Sequence, residues 1–265
     1  MKPALFTSLA LALFALSGAA LATEPGHDAK AAPANAAPHW GYEEAANWGK
    51  LDASFRLCEE GQSQSPINIK ASIDADLAEI VFAYQPPLST QPVAQKVLNN
   101  GHTIQLNIPA GQGMKAGRDA YQLLQFHFHT PSEYQLDGKS YPLEVHFVHK
   151  RGDGALGVVG VMFEEGEANT ALEKIWQSMP DKAGEKTMPG ETSLDMTKLL
   201  PRDQRYYRFM GSLTTPPCSE GVNWHMMQKP VTASKEQIEA FRKIFPMNAR
   251  PLQQANSRLV VKDTK

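Results

Sequence analysis

The sequence has 265 residues, of which 42% are hydrophobic, and a formal net charge of −2 at pH 7. This length allows one large domain or two small ones with a substantial core. Basic and acidic residues are interspersed without a lysine or arginine cluster, which argues against nucleic acid or an anionic membrane surface as a partner.

The first 22 residues resemble a secretory signal peptide. Lys2 precedes an apolar run over residues 4–16, and residues 20–22 form a small-x-small cleavage signal. The alternative is an uncleaved membrane anchor, although the run is short for a bilayer span and no later stretch is long and apolar enough to be one. We predict cleavage after Ala22, export, and no membrane association of the mature chain.

The next segment, residues 23–38, is rich in alanine and proline and has no apolar periodicity. It is predicted to be a flexible spacer. The folded part should begin at His39, and neither a second linker nor an internal repeat follows. We therefore predict one domain over residues 39–262.

Most of this domain has the pattern of short strands separated by glycine, proline and asparagine. Residues 99–101 and 137–138 carry turn signals. The predicted strands are residues 80–84, 103–108, 121–129, 143–149 and 156–164.

Two amphipathic helices interrupt the strands. Apolar residues recur at helical spacing over residues 172–179, and Pro180 ends that run. Ser234 and Gln237 form a capping-box pattern ahead of a second run over residues 238–245. Amphipathic helices belong on the outside of a sheet, so a mainly β fold with a few peripheral helices is predicted.

Residues 125–129 carry the strongest chemical signal. Side chains two apart on a strand share a face, so Gln125, His127 and His129 point one way and the two intervening phenylalanines the other. A strand with two imidazoles on one face can present two metal ligands. The alternative is a pair of histidines that only form hydrogen bonds in the core.

Residues 143–149 offer a third ligand. Strand parity puts Glu144 and His146 on one face and His149 on the other. Three imidazoles would leave one coordination position open, which is the pattern of a catalytic zinc, whereas structural zinc sites are closed by four ligands. His149 has the wrong parity for a fourth ligand and is predicted to be structural.

Gln125 and Glu144 each lie two residues from a candidate ligand and on the same face. A metal-bound histidine usually donates its second N–H to a carboxylate or carbonyl oxygen. We predict this acceptor role for both residues. The alternative is an ordinary polar residue on a strand.

Cys58 and Cys218 are the two cysteines of the chain. Export permits a disulfide, and one bridge between them is the simplest arrangement. The alternative is two buried free thiols.

Several short motifs follow one another along the mature domain. They are His39-Trp40-Gly41-Tyr42, Gln64-Ser65-Pro66-Ile67-Asn68-Ile69, Asn99-Asn100-Gly101-His102, Gln125-Phe126-His127-Phe128-His129, Glu144-Val145-His146-Phe147-Val148-His149, Gly211-Ser212-Leu213-Thr214-Thr215-Pro216-Pro217, Trp224 and Asn248-Ala249-Arg250-Pro251. In this order they closely resemble the α-class carbonic anhydrases. The stretch Thr130-Pro131-Ser132 replaces the Trp-Gly of animal enzymes, which resembles the bacterial, exported branch.

The resemblance implies a single domain built on a large central, mostly antiparallel, twisted β-sheet. It implies reversible hydration of CO2 to bicarbonate and a proton by attack of zinc-bound hydroxide, with one Zn2+ per chain. Bacterial relatives further suggest a periplasmic location and a homodimer. The Ser65–Pro66 and Pro216–Pro217 peptide bonds are expected to be cis.

The resemblance also implies roles for individual residues. His102 would be the proton shuttle, Thr214 would accept a hydrogen bond from the hydroxide, and Glu133 would orient the Thr214 hydroxyl. The other implied roles are zinc ligation by His127, His129 and His146, acceptors for the ligand N–H groups at Gln125 and Glu144, substrate binding by Val148, Val158, Leu213, Thr214, Thr215 and Trp224, water ordering by Tyr42 and Asn100, and a disulfide between Cys58 and Cys218.

Two alternatives remain. The spacing of His127, His129 and Glu133 also fits a cupin-type site, in which the glutamate is a ligand and the metal is often iron. The Thr-Thr-Pro-Pro motif would then have no role. The second alternative is a catalytically silent carbonic-anhydrase-like zinc-binding module, although such modules typically lack a zinc ligand and this chain keeps all three.

Overall fold

The computed structural model describes residues 38–70, 72–84, 95–189 and 194–265. The predicted signal peptide and nearly all of the predicted spacer fall outside these residues. Within the described ranges, no helix is long and apolar enough to cross a membrane.

Strands make up most of the regular structure. The strands are β1 (Asn68–Ile69), β2 (Ile73–Ala75), β3 (Ile80–Ala83), β4 (Lys96–Asn99), β5 (Ile104–Asn107), β6 (Gly113–Ala116), β7 (Asp119–His129), β8 (Gln135–Leu136), β9 (Leu143–Arg151), β10 (Leu156–Glu165), β11 (Gly184–Thr187), β12 (Tyr206–Ser212), β13 (Glu220–Met227), β14 (Val231–Ala233) and β15 (Val261–Asp263). The α-helices are α1 (Trp48–Leu51), α2 (Leu57–Glu60), α3 (Thr170–Trp176) and α4 (Lys235–Ile244), and 3-10 turns cover Tyr42–Asn47, Ala53–Phe55 and Met196–Leu199.

Thirteen of the described strands form one sheet with the main order β11-β4-β5-β7-β9-β10-β13-β12-β15-β2. β14 pairs with β10, while β6 pairs with β7 and in turn with β3. Most neighbours are antiparallel, but β13 and β14 run parallel to β10, and β2 runs parallel to β15. The predicted mainly β fold with a large, mostly antiparallel sheet is confirmed.

The central strands β9 and β10, and the second half of β7, are largely buried on both faces. On one face, Phe126, Phe128 and Phe147 belong to a large apolar core that includes residues of α3 and α4. On the other face, Trp224 and Tyr134 lie in a second apolar cluster. A strand held on both sides leaves little freedom for the polar side chains it carries, which suits a site that needs fixed geometry.

The second predicted helix begins as its capping box indicates. The Ser234 hydroxyl accepts from the Gln237 backbone N–H at 3.3 Å, and the Gln237 side chain accepts from the Ser234 N–H at 3.1 Å. The first predicted helix, α3, ends at Trp176, before the end of its apolar pattern. It ends there because the N–H groups of Ser178 and Met179 bond carbonyls three residues back, which tightens the chain out of the α-helix.

Three X–Pro peptide bonds among the described residues are cis: Ser65–Pro66, Thr130–Pro131 and Pro216–Pro217. The first and the last were expected. The Thr130–Pro131 bond, which directly follows β7, was not.

Cys58 and Cys218 form the expected disulfide, which spans 160 residues of sequence. The bridge joins α2 to the loop that precedes β13. We expect Cys58→Ser/Cys218→Ser to lower the free energy of unfolding by up to about 5 kcal/mol, because the bridge restricts the unfolded chain. Chemical denaturation of both proteins measures the difference, and an unchanged transition midpoint would contradict it.

Candidate metal centre

Three histidines from two neighbouring strands meet on one face of the sheet. His127 on β7 lies directly opposite His146 on β9, and His129 follows two residues later on β7. Each offers one ring nitrogen, and the three nitrogens lie within 4.8 Å of one another. Among the described residues, these three histidines form the group that could hold a metal ion. The group does not include Glu133, which the cupin-type alternative would require as a ligand.

A register shift in β7 creates this pairing. Leu123 lies opposite His149, whereas Gln125 lies opposite Val148, so one extra residue stands between these two pairs. Leu123 and His149 are fully buried. Without the bulge at Leu124, the downstream half of β7 would pair one residue out of register. The bulge therefore brings His127 opposite His146.

The outer ring nitrogens of all three histidines have acceptors. His127 Nδ1 is 2.8 Å from Gln125 Oε1, and His146 Nε2 is 2.8 Å from Glu144 Oε1. His129 Nδ1 donates to the backbone carbonyl of Asn248 at 2.8 Å. These bonds leave His127 Nε2, His129 Nε2 and His146 Nδ1 as the inner donor atoms.

The protonation of the rings suits metal binding. Burial lowers the pKa of His129 to about 4 and that of His146 to about 3, and it also lowers the pKa of His127. The rings are therefore neutral at pH 7, with a lone pair on each inner nitrogen. His129 Nε2 is buried without a hydrogen-bond partner. A metal ion would satisfy this nitrogen, so the donor set fits a three-histidine metal site.

Glu133 lies beside the inner nitrogens. Its Oε2 is 3.6 Å from His129 Nε2 and 3.8 Å from His146 Nδ1. Its Oε1 accepts from the backbone N–H of Arg250 at 2.9 Å, and the carboxylate also accepts from the Thr214 hydroxyl. Burial raises the pKa of Glu133, while these contacts favour the charged form.

The second carboxylate, Glu144, is fully buried behind His146. Its Oε2 accepts from the backbone N–H groups of Glu133 and Tyr134 at 2.7 and 3.1 Å. Burial raises the pKa of Glu144, and these two bonds oppose that shift. Glu144 therefore fixes the ring of His146 and the backbone at Glu133 at the same time.

The apolar residues singled out in the sequence belong to a cluster that reaches this centre through Trp224, whose ring centroid lies 4.9 Å from that of His146. Val158 on β10 pairs with Val148 on one side and with Trp224 on the other, so the three form a row across neighbouring strands. Val148 and Leu213 are partly buried and pack against the cluster that contains Trp224. Thr215 follows Thr214, and its carbonyl accepts from the Cys218 N–H at 2.9 Å.

His102 lies in the turn between β4 and β5. Its ring is half-buried and stacks on Trp40, with centroids 3.7 Å apart. Asn100 Oδ1 accepts from the backbone N–H groups of His102 and Thr103, both at 2.9 Å. Burial and the nearby His39 lower the pKa of His102.

Tyr42 is buried against Trp40 and Trp48. Burial and the negative charge of Glu133 raise the pKa of Tyr42. The Tyr42 hydroxyl is therefore neutral at pH 7 and can both donate and accept a hydrogen bond.

Asn248 and Arg250 lie in a motif that carried the resemblance, but no role was predicted for either residue. Asn248 acts on His129 through a backbone carbonyl, and Arg250 acts on Glu133 through a backbone N–H. Every residue type offers a carbonyl, and every type but proline an N–H, so side-chain identity gave no signal for these contacts.

Comparison with known proteins decides the family. A model of the eukaryotic-type carbonic anhydrase family matches residues 43–264. The chain belongs to the α-carbonic anhydrase family. It is accordingly an enzyme that catalyses the reversible hydration of CO2.

Carbonic anhydrases from bacteria are similar along most of the chain. The carbonic anhydrase of Pectobacterium carotovorum is 45% identical over 227 residues, which are 84% of this chain and 90% of that protein. The solved structure of the α-carbonic anhydrase of Thermovibrio ammonificans, in complex with the inhibitor sulfanilamide, has a TM-score of 0.79 at 41% identity. The match covers 86% of this chain and 100% of that protein. The α-carbonic anhydrase of Photobacterium profundum has a TM-score of 0.74 at 44% identity, and the match covers 82% of this chain and 95% of that protein.

Proposed function

We propose that this carbonic anhydrase uses one zinc ion, bound by His127, His129 and His146. One observation carries the proposal. The inner nitrogens of three neutral imidazole rings converge, and the outer nitrogen of each ring is hydrogen-bonded. Three nitrogen ligands with one open position are the donor set of a catalytic zinc. Metal analysis of the purified protein tests the identity, and iron in place of zinc would overturn it.

When bound, zinc lowers the pKa of a water ligand to about 7, the established value for this enzyme class, and so supplies hydroxide at neutral pH. The protein then has to aim that nucleophile. Because the Thr214 hydroxyl donates to Glu133, only its lone pairs remain, and it must accept a hydrogen bond from the attacking oxygen. We propose that the Thr214 backbone N–H stabilises the CO2 oxygen that becomes negative.

CO2 is small, apolar and uncharged, so hydrogen bonds cannot hold it well before reaction. The row of Val148, Val158 and Trp224, with Leu213 beside it, offers an apolar wall next to the metal centre. We propose that CO2 rests on this wall, beside Thr214 and Thr215.

Regenerating the nucleophile requires the removal of one proton in each turnover. We propose that His102 accepts this proton and passes it to buffer, and that Tyr42 and Asn100 order the water between His102 and the metal. His102 suits the task because an imidazole exchanges protons near neutral pH.

His102→Ala is expected to reduce turnover without loss of zinc. Unassisted proton release from water of pKa about 7 runs at roughly 10³–10⁴ s⁻¹, whereas the class turns over near 10⁶ s⁻¹. We therefore expect kcat in weak buffer to fall by roughly 100-fold or more, kcat/KM to be preserved, and added imidazole to restore part of kcat. Stopped-flow hydration at increasing imidazole concentration measures each quantity.

The matched control is His39→Ala, which removes the exposed imidazole near His102. It should leave kcat and the imidazole dependence unchanged. Loss of turnover in His39→Ala together with normal turnover in His102→Ala would contradict the shuttle role.

The disulfide supports export, because such bonds persist in oxidising compartments. We propose that residues 1–22 are a cleaved signal peptide, that residues 23–38 are a spacer before the catalytic domain at 39–262, and that the mature enzyme is a periplasmic homodimer. N-terminal sequencing of the exported protein tests the cleavage site. Analytical ultracentrifugation tests the dimer.

A further inference from the structure

The guanidinium of Arg250 is buried, with 3% of the residue exposed. Its Nη1 donates to Gln64 Oε1 at 2.9 Å and to the Ser65 carbonyl at 2.7 Å, and its Nη2 donates to the Cys58 carbonyl at 2.8 Å. The group also lies 5.7 Å from the centroid of the Trp48 ring. A planar fork with several fixed donors can hold three acceptors at once, which a lysine ammonium does less rigidly.

The residues that accept from this guanidinium are joined to both flanks of Thr214. Ser65 and Ser212 exchange two hydrogen bonds, with donor–acceptor distances of 2.8 and 3.2 Å. Cys58 is bonded to Cys218 on the other flank. The position of the loop that carries Thr214 therefore depends on the position of the guanidinium.

The backbone of the same arginine holds Glu133. The Arg250 N–H donates to Glu133 Oε1 at 2.9 Å. Residues 245–260 form neither helix nor strand, so no ladder of sheet hydrogen bonds fixes this N–H. Its position depends on individual contacts, and the guanidinium supplies three of them.

We propose that Arg250 is a positioning residue that holds the Glu133 carboxylate opposite the Thr214 hydroxyl. Its side chain is anchored to the residues that hold Thr214, and its backbone holds Glu133, so the two partners keep a fixed separation. The inference rests on the proposed role of the Thr214–Glu133 pair. Without the guanidinium, the N–H shifts, the carboxylate follows it, and the Thr214 hydroxyl is no longer aimed.

The test compares Arg250→Gln and Arg250→Lys with the mature wild-type protein, all zinc-loaded, by stopped-flow CO2 hydration. We expect Arg250→Gln to lower kcat/KM about 10- to 100-fold, because small misplacements of a catalytic group have effects of this size. Arg250→Lys should have a kcat/KM between that of Arg250→Gln and that of the wild type. Zinc content and the imidazole dependence of kcat should match the wild type, since proton transfer through His102 is untouched.

Arg258→Gln is the matched control. Arg258 lies in the same irregular segment and also donates to backbone carbonyls, those of Gln254 and Ala255. None of these bonds reaches Glu133, so this variant should keep kcat/KM even where it lowers stability. An equal loss of kcat/KM in Arg250→Gln and Arg258→Gln would reduce the role of Arg250 to general stability and overturn the proposal.

A double-mutant cycle with Glu133→Gln identifies the route of the effect. If Arg250 acts through Glu133, Arg250→Gln lowers kcat/KM in the wild type but not in the Glu133→Gln background. Multiplicative losses would overturn the proposal. A Glu133→Gln enzyme with wild-type kcat/KM would instead overturn the role of the Thr214–Glu133 pair. Where Arg250→Gln does not fold, Arg250→Lys in both backgrounds gives the same cycle.

Discussion

His146→Ala is expected to abolish both zinc binding and CO2 hydration. The substitution removes one of three inner nitrogens and leaves the Glu144 carboxylate buried without the ring it orients. Two imidazoles cannot hold a catalytic zinc against loss to chelators. Turnover, near 10⁶ s⁻¹ for this class, should fall to the uncatalysed background. Zinc analysis after dialysis and stopped-flow hydration measure the two losses.

His149→Ala is the matched control for that variant, because it removes the same residue type from the same strand. Its ring lies on the opposite face, with Nε2 2.8 Å from the Tyr84 hydroxyl. This variant should lose stability through a core cavity but keep one zinc per chain. Stoichiometric zinc in His146→Ala, or loss of zinc from a folded His149→Ala protein, would contradict the ligand assignment.

Thr214→Ala should leave zinc in place and reduce kcat/KM for CO2 hydration by about 10²- to 10³-fold. Losing one group that orients or stabilises the transition state typically costs about 2.7–4 kcal/mol of barrier. The hydroxyl that donates to Glu133 and accepts from the attacking oxygen is gone, so the nucleophile is no longer aimed. Steady-state hydration kinetics, normalised to zinc content, give the ratio.

Thr214→Ser separates the hydroxyl from the rest of the side chain. Serine keeps the donor to Glu133, so this variant should retain most of kcat/KM. A Thr214→Ala enzyme as fast as the wild type, or a serine variant as slow as the alanine variant, would contradict the proposed use of the hydroxyl.

Strand parity was sufficient to predict which side chains share a face within each strand. It placed His127 with His129 on one strand, and His146 opposite to His149 on the other, because the side-chain period of a strand is two. The pairing of β7 with β9 then shows that all three candidate ligands lie on the same face. The position of Glu144 beside His146 follows from the same rule. The roles of Thr214, Glu133 and His102 came from family resemblance, since these residues are far apart in sequence and no local period relates them.

Other features could not be predicted from the sequence. The bulge at Leu124 has no distinctive residue, and its effect on register shows only when β7 and β9 are paired. Asn248 and Arg250 contact His129 and Glu133 through backbone atoms, and side-chain identity does not report those two contacts. The early end of α3 depends on a change from i−4 to i−3 bonding that the apolar spacing does not reveal.

Stopped-flow CO2 hydration by the mature, zinc-analysed protein tests the central claim most directly. The structure and the family predict about one zinc per chain and fast hydration, both of which disappear when the zinc is removed and return when it is restored. Stoichiometric zinc without hydration would contradict the account, and the chain would then be a zinc-binding relative of the carbonic anhydrases.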